Sequence, residues 1–124
     1  MDWVGYLGIV MIKYSDCQVH PLREHRYYII SDIRYEEVIV PSGYKTNGAN
    51  IPRLFWSIYP PNRPDYLPAV IFHDFMCDKA KTYEDYKKAD DYFEEILQYL
   101  QINKFDIFIL TTGVRLYHKL KYMF

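Results

Sequence analysis

The chain has two parts with different residue patterns, and this division limits the folds that it can adopt. Residues 1–45 contain short runs of β-branched and aromatic residues, separated by turn-forming Pro, Ser, Asp and Gly, which is typical of strands. From residue 65 onward, apolar residues recur at helical spacing. The sequence therefore predicts an α+β fold in which a small antiparallel N-terminal sheet is followed by a short helix and three longer helices.

Turn-forming residues set the predicted limits of the strands and of the loop after them. The predicted strands are Gly5–Lys13, Arg26–Ile30 and Val38–Val40. Residues 46–64 are predicted to form a loop with a short helix, because Ile51–Tyr59 is amphipathic and the Pro60-Pro61 pair cannot continue a helix.

Capping residues set the predicted limits of the longer helices. Thr82 is followed three residues later by Asp85, which resembles a capping box, and asparagine and aspartate are favoured N-caps. The predicted helices run from Asn62 or Asp65 to about Asp78, from Thr82 to about Leu100, and from Asn103 to about Tyr122.

Length and charge exclude several classes of protein. The 124 residues predict a single domain over residues 1–124 that needs no disulfide scaffold; whether Cys17 and Cys77 pair is left open. A balance of 15 Lys and Arg against 16 Asp and Glu lacks the basic excess typical of nucleic-acid binding. No apolar run reaches the roughly 18 residues that a transmembrane segment needs. The run Phe105–Val114 predicts a buried helix, although the basic residues after it would also suit a membrane surface.

One histidine and one aspartate are predicted to face each other between two helices. His73 lies on the apolar stripe of the first long helix, with Asp74 at the edge of that stripe. On the second long helix Asp90 falls within the buried stripe and Asp91 points to solvent. The short connection predicts antiparallel packing. Because a buried carboxylate fixes the tautomer of an imidazole and makes its opposite nitrogen more basic, His73 and Asp90 are the candidate catalytic residues.

The loop Gly43–Pro52 is the second candidate feature. Gly48 permits a backbone conformation in which carbonyl oxygens turn toward an ion. Asp74, Asn47 and Gly48 are therefore the candidate metal ligands, and oxygen donors favour Ca²⁺ over Zn²⁺. Because Asn47 is neutral, calcium binding is expected to be weak. Asn50 and Pro52 have a simpler interpretation, as a helix cap and part of a tight turn.

Other residues have competing interpretations. Trp56 and Tyr59 form either a ligand platform or a hydrophobic plug under a loop. Cys77 is predicted to be a small buried apolar residue. No role is predicted for the remaining histidines, which lack a partner at metal-ligand spacing: His20, His25 and His118.

Three motifs together resemble a family of small uncharacterised proteins common in bacteriophages and prophages. They are Val40–Pro52 (VPSGYKTNGANIP), His73-Asp74, and Lys88-Ala89-Asp90. The usual family loop is Val-Pro-x-Gly-Phe-x-Thr-Asp-Gly-Ala-Ser-x-Pro, and the resemblance covers residues 26–120. It implies a phage origin, other phage proteins as partners, and a location in the host cytoplasm or the virion.

The same residues have a more distant similarity to secreted phospholipases A2. That resemblance implies that His73 is the general base, Asp90 its orienting carboxylate and Asp74 the calcium ligand, with Gly48 lending a carbonyl. Asn47 replaces an aspartate of that loop, and Cys77 replaces the tyrosine that would support the buried carboxylate. Each change is expected to cost about 10–100-fold in metal affinity or activity.

Two kinds of function remain open on the sequence. The first is a calcium-assisted hydrolase acting on a lipid or another ester, either active or degenerate. The second is a non-enzymatic phage virion or assembly component, or an inhibitor of a host protein, in which the His73–Asp90 pair is structural. An unusual content of 14 tyrosines is consistent with the second, since tyrosine suits contact surfaces.

Overall fold

Strands occupy the first part of the described chain and helices the last. The structure is a computed structural model that describes residues 3–6, 11–13, 19–23, 26–29, 32–46, 58–59 and 65–123. The strands are β1 (Trp3–Tyr6), β2 (Met11–Lys13), β3 (Val19–Arg23), β4 (Arg26–Ile29), β5 (Ile33–Tyr35), β6 (Val38–Val40) and β7 (Lys45–Thr46). The helices are α1 (Leu67–Lys79), α2 (Tyr83–Tyr99) and α3 (Lys104–Met123). The predicted α+β class is confirmed.

The strands form three small antiparallel sheets among the described residues, where a single sheet was predicted. They are β1–β2, β3–β4–β7 and β5–β6. The prediction of one strand over Gly5–Lys13 is wrong, because β1 and β2 pair with each other in opposite directions. A continuous apolar run has no period that would reveal such a reversal. The predicted strands at β4 and β6 are confirmed, with β4 ending at Ile29.

The predicted caps of α2 and α3 are present. Thr82 accepts a hydrogen bond on its Oγ1 from the Asp85 backbone N–H at 3.2 Å, and the Asp85 carboxylate accepts one from the Thr82 N–H at 3.1 Å. Asn103 Oδ1 accepts a hydrogen bond from the Asp106 N–H at 3.0 Å. These contacts pair N–H groups that a helix start leaves without an intrahelical partner, so both boundaries are fixed locally.

The capping box gives a stability prediction. Thr82→Ala removes the acceptor of the Asp85 N–H, and the free energy of unfolding is expected to fall by about 1 kcal/mol. Thr112→Ala makes the same chemical change at an exposed position inside α3, where alanine is the better helix former and no loss is expected. Urea unfolding of both variants measures the difference; equal stabilities would contradict a capping role for Thr82.

The start of α1 differs from the prediction. The helix begins at Leu67, and its N-cap residue is Tyr66, which makes no side-chain capping hydrogen bond. Asp65 is therefore not the cap, and Asn62 lies outside the described residues. Tyr66 is fully buried, which indicates that packing fixes this boundary. Pro68 falls in the first turn as predicted.

The helices pack in sequence order around a shared core. α1 contacts α2, and α2 contacts α3. The described part of the chain contains three helices, where four were expected. Residues 51–57 of the predicted short helix lie outside the described ranges, and residues 58–59 form a turn and a bend. None of the three helices has a stretch that is long and apolar enough to cross a membrane.

Four tyrosine hydroxyls donate hydrogen bonds to carboxylates that lie far away in sequence. Each bond joins a residue between positions 35 and 59 to a residue of α1, α2 or α3. The pairs are Tyr35–Glu95 at 2.6 Å, Tyr92–Glu37 at 2.8 Å, Tyr44–Asp78 at 2.5 Å and Tyr59–Asp106 at 2.8 Å. Tyrosine therefore links the first part of the chain to the helices while its ring fills apolar space.

Candidate functional site

His73 and Asp90 meet where α1 packs against α2. His73 Nε2 lies 2.7 Å from Asp90 Oδ1, and both residues are 1% exposed. Asp91, the next residue, is exposed and pairs with Arg115. The helical pattern thus predicted the faces of both aspartates correctly, because α2 is amphipathic and only one stripe of it is covered. The catalytic roles of His73 and Asp90 remain a prediction.

His118 completes a three-residue cluster that the sequence did not predict. Its Nδ1 lies 2.8 Å from Asp90 Oδ2, and the residue is fully buried on α3. The expectation that His118 lacks a partner was therefore wrong. The available signal was periodicity, since His118 follows the buried residues Ile107, Thr111 and Val114 at helical spacing. Asp90 therefore lies between two imidazoles, with Oδ1 facing His73 and Oδ2 facing His118.

Hydrogen bonding keeps Asp90 charged in spite of its burial. Burial raises the pKa of the Asp90 carboxyl, but the hydrogen bonds from His118 and His73 outweigh it and leave that pKa below its ordinary value. Asp90 is therefore a carboxylate at neutral pH and can only accept hydrogen bonds. Both imidazole nitrogens that face it must be the donors.

The second nitrogen of His73 is the unusual atom of the cluster. His73 Nδ1 is buried and has no hydrogen-bond partner among the residues that the structure describes. When Nε2 holds the proton donated to Asp90, a neutral imidazole presents a lone pair at Nδ1. Phe93 packs against the ring, with centroids 4.6 Å apart. The arrangement leaves a basic nitrogen in an apolar environment.

Cys77 lies beside both histidines. Its Sγ is 3.7 Å from His73 Nε2 and 3.9 Å from His118 Nε2. The predicted burial of Cys77 is confirmed. Burial and the charge of Asp90 raise the pKa of the thiol, so the cysteine is protonated at neutral pH. The second oxygen of the Asp90 carboxylate contacts His118. Cys77 lies beside the two rings.

The residues of the predicted calcium site are described only in part. Asp74 was expected at the edge of the buried stripe and is instead 3% exposed, because α1 is covered on almost every side. Strand β7 contacts α1. The loop residues named for this site and its cap lie outside the described ranges: Asn47, Gly48, Asn50 and Pro52.

Of the two predicted platform residues, the structure describes Tyr59. Trp56 lies outside the described residues. Tyr59 is 5% exposed, and its hydroxyl donates to Asp106 at the start of α3. Its ring is therefore covered, as expected of a hydrophobic plug.

The cluster has the composition of a metal site. Within the described residues, one candidate ligand atom from each of His73, Asp90 and His118 lies within 4.8 Å of the others. Two imidazole nitrogens and a carboxylate oxygen can hold a divalent metal ion. The sequence prediction placed the metal at Asp74 and the loop and missed this group.

Comparisons with known proteins give a family and no activity. A protein-family model described as "Protein of unknown function (DUF1353)" matches residues 22–114. The chain is similar to the uncharacterized protein y4jT of Sinorhizobium fredii, with 44% identity over 48 residues, which is 37% of this chain. The matched part spans only 14% of the length of that relative. No solved structure matches the chain.

Proposed function

Because the chain belongs to DUF1353, a family of unknown function, only the site can indicate an activity, and we propose that the protein hydrolyses an ester bond with His73 as the general base. In this reaction Nδ1 takes a proton from water as the water oxygen adds to the ester carbonyl. The imidazolium then returns the proton to the departing alcohol. Lipid esters are the substrate class that a resemblance of His73, Asp74 and Asp90 to the site of phospholipases A2 would imply.

The observation that carries the proposal is the tautomer of His73. Nε2 is committed to Asp90 at 2.7 Å, while Nδ1 is buried without a partner among the described residues. A histidine with a purely structural role is expected to use both nitrogens, since an unpaired buried polar atom costs about 1–3 kcal/mol. A nitrogen that accepts no hydrogen bond from any described residue is the one that we assign to the general base.

Asp90 and His118 support this role without touching the substrate. Asp90 fixes the tautomer of His73 and stabilises the imidazolium that forms when Nδ1 is protonated. His118 holds the second carboxylate oxygen at 2.8 Å, so the carboxylate cannot rotate away from His73. Cys77 stands where a tyrosine would support the buried carboxylate, and His118 gives Asp90 this support instead. The contact favours an active site over a degenerate one.

Calcium is the cofactor of the proposed reaction. Asp74, buried one residue after His73, would supply the charged ligand, and Asn47 and Gly48 would supply neutral oxygens. When bound, the ion would polarise the ester carbonyl. The donors are hard oxygens of the kind that Ca²⁺ prefers. A phage origin and a location in the host cytoplasm or virion belong to this proposal.

The test is ester hydrolysis by metal-depleted protein with and without calcium. With millimolar CaCl₂, the purified chain is expected to hydrolyse phospholipid vesicles or short-chain esters faster than buffer, and EDTA is expected to remove this activity. Calcium is also expected to raise the Tm, because an ion bound only by the folded state stabilises it. Absence of hydrolysis across lipid and water-soluble esters would refute the proposal.

A second candidate is a non-enzymatic virion or assembly component, and the surface of α3 favours it. Several large apolar side chains on one side of this helix are exposed to solvent: Phe105, Phe108, Leu116, Leu120 and Met123. Exposed apolar patches often mark interaction surfaces. In this case the protein would be found by mass spectrometry in purified phage particles and would show no hydrolysis. Its absence from the particles would exclude the virion role.

A further inference from the structure

Helix α3 carries apolar side chains on two opposite sides, and we propose that its outer face docks on an anionic membrane surface. The inner side of α3 is buried in the core. The outer face consists of Phe105, Phe108, Leu116, Leu120 and Met123, which are all exposed. A helix that is apolar all round is normally covered all round, so a second surface is expected to cover this face. Docking needs no bond cleavage, and the inference therefore goes beyond the proposed hydrolysis.

The five side chains of the outer face form one stripe along α3. At about 100° per residue they fall within a sector of about 120°. At about 1.5 Å per residue, the stripe from Phe105 to Met123 is about 27 Å long. Phe105, Phe108 and Met123 are 68%, 64% and 63% exposed. Apolar residues scattered singly over a surface need no explanation, but a continuous stripe of this length marks an interaction surface.

Basic residues border the stripe on one side and indicate the charge of the partner. Lys104 and Lys119 are exposed and form no ion pair with the residues that the structure describes. Arg115 lies on the same side of α3, and Asp91 and Glu94 neutralise it. A cation at the first residue of a helix opposes the helix dipole, so helix stability does not account for Lys104. The two lysines favour an anionic partner.

Two tyrosines flank the stripe and favour a membrane as that partner. Tyr117 and Tyr122 lie on opposite sides of the outer face and are 42% and 46% exposed. Tyrosine is enriched where a membrane meets water, because its ring suits the apolar side and its hydroxyl the polar side. Lysine side chains extend past apolar surface and place their charge among the headgroups. An apolar stripe bordered by tyrosine and lysine is the composition of a helix that lies in a membrane surface.

A second copy of the chain fits the outer face less well. A two-fold dimer uses the same patch of both chains, so Lys104 and Lys119 of both chains would enter one interface. Like charges disfavour such a contact. An anionic lipid surface attracts both lysines of one chain and accepts the apolar side chains between the lipids.

Vesicles of ether-linked phospholipids test the docking. These lipids have no carboxylic ester, and EDTA in the buffer removes calcium, so neither hydrolysis nor the proposed calcium site contributes. The chain is expected to sediment with vesicles that contain phosphatidylglycerol. It is expected to bind phosphatidylcholine vesicles about 10–30-fold more weakly, since two lysines lose their attraction to the surface. High salt is expected to reduce this difference.

Removal of two apolar side chains tests the stripe itself. Phe108→Ser/Leu116→Ser is expected to weaken binding to the anionic vesicles about 10–100-fold, because less apolar surface enters the lipid. Ile39→Ser/Ile58→Ser is the matched control, since it removes two exposed apolar side chains outside α3. The control is expected to bind as the unmodified protein does. Circular-dichroism melts of both variants check that the fold is retained, as expected for surface substitutions.

Removal of the two lysines tests the charge. Lys104→Gln/Lys119→Gln is expected to bind anionic vesicles no better than the unmodified protein binds phosphatidylcholine. Arg34→Gln/Lys45→Gln removes two exposed cations from strands β5 and β7 and is expected to leave the binding unchanged. Equal losses in the two variants would show that net charge, and not the outer face, determines binding.

Several results would overturn the inference. One is the absence of binding to anionic vesicles, which would leave the outer face to a protein partner. Another is an equal loss of binding in Ile39→Ser/Ile58→Ser. A third is a dimer, measured by analytical ultracentrifugation, that dissociates in Phe108→Ser/Leu116→Ser, because a second copy would then cover the face. These measurements do not use catalysis, so a failure of the hydrolase proposal leaves them unaffected.

Discussion

Asp90→Ala is expected to lower the free energy of unfolding by about 3–5 kcal/mol, the usual cost of removing one partner from a buried charged network. The substitution leaves His73 Nε2 and His118 Nδ1 buried without their shared acceptor. A domain of this size is stabilised by about 5–15 kcal/mol in total, so the variant is expected to be close to unfolding at 37 °C. Equilibrium unfolding in urea measures the loss.

Asp91→Ala is the matched control for this experiment. It makes the same change one residue later in α2, where Asp91 is exposed and its partner is Arg115 at 3.0 Å. Exposed ion pairs contribute about 0–1 kcal/mol. If the free energy of unfolding falls by similar amounts in Asp90→Ala and Asp91→Ala, the hydrogen bonds of the buried cluster do not stabilise the packing of the helices.

The same carboxylate gives the protein an acid-sensitive component of stability. Because the folded-state pKa of Asp90 lies below its ordinary value of 3.8, its contribution is complete above that value and is lost as the pH falls through the folded-state pKa. The stability difference between the unmodified protein and Asp90→Ala should therefore narrow as the pH falls below 3.8. A difference that persists in strong acid would contradict the assignment.

His73→Gln is expected to reduce ester hydrolysis by about 10²–10⁴-fold, the range for loss of a general base. The glutamine amide nitrogen can occupy the position of Nε2 and still donate to Asp90, so the fold is expected to survive. What the variant lacks is the basic Nδ1. Initial rates at saturating calcium, together with a circular-dichroism melt of the same sample, separate lost chemistry from lost structure.

His118→Asn controls for the position of the base. The asparagine amide nitrogen can replace Nδ1 as the donor to Asp90 Oδ2, which retains the support of the carboxylate. Activity is expected to fall by no more than about 10–100-fold, the range for a supporting group. A loss at His118 that equals or exceeds the loss at His73 would place the reactive nitrogen on α3 instead.

Features set by neighbouring residues were predictable from the sequence. The capping box of Thr82 and Asp85 and the cap at Asn103 depend on three-residue spacing and appear as expected. The contrast between buried Asp90 and exposed Asp91 depends on the amphipathic period of α2. In each case the determining contacts lie within one or two helical turns.

Features set by distant contacts were not predictable in the same way. α1 is buried nearly all round, so its sequence has no clear polar face and the burial of Asp74 could not be deduced from periodicity. His118 joins Asp90 across 28 residues of chain, and no local spacing links the two. Its place on the buried stripe of α3 was deducible, but its partner depends on how α2 and α3 pack.

The tyrosine–carboxylate hydrogen bonds have a consequence for synthesis on the ribosome. Translation delivers Tyr35, Glu37, Tyr44 and Tyr59 before their partners, which lie 34–60 residues later. At about 5–20 residues per second, several seconds pass before the hydrogen-bond partners of these groups are synthesised. During that interval the nascent chain depends on water, or on a chaperone, to cover surfaces that the helices later enclose.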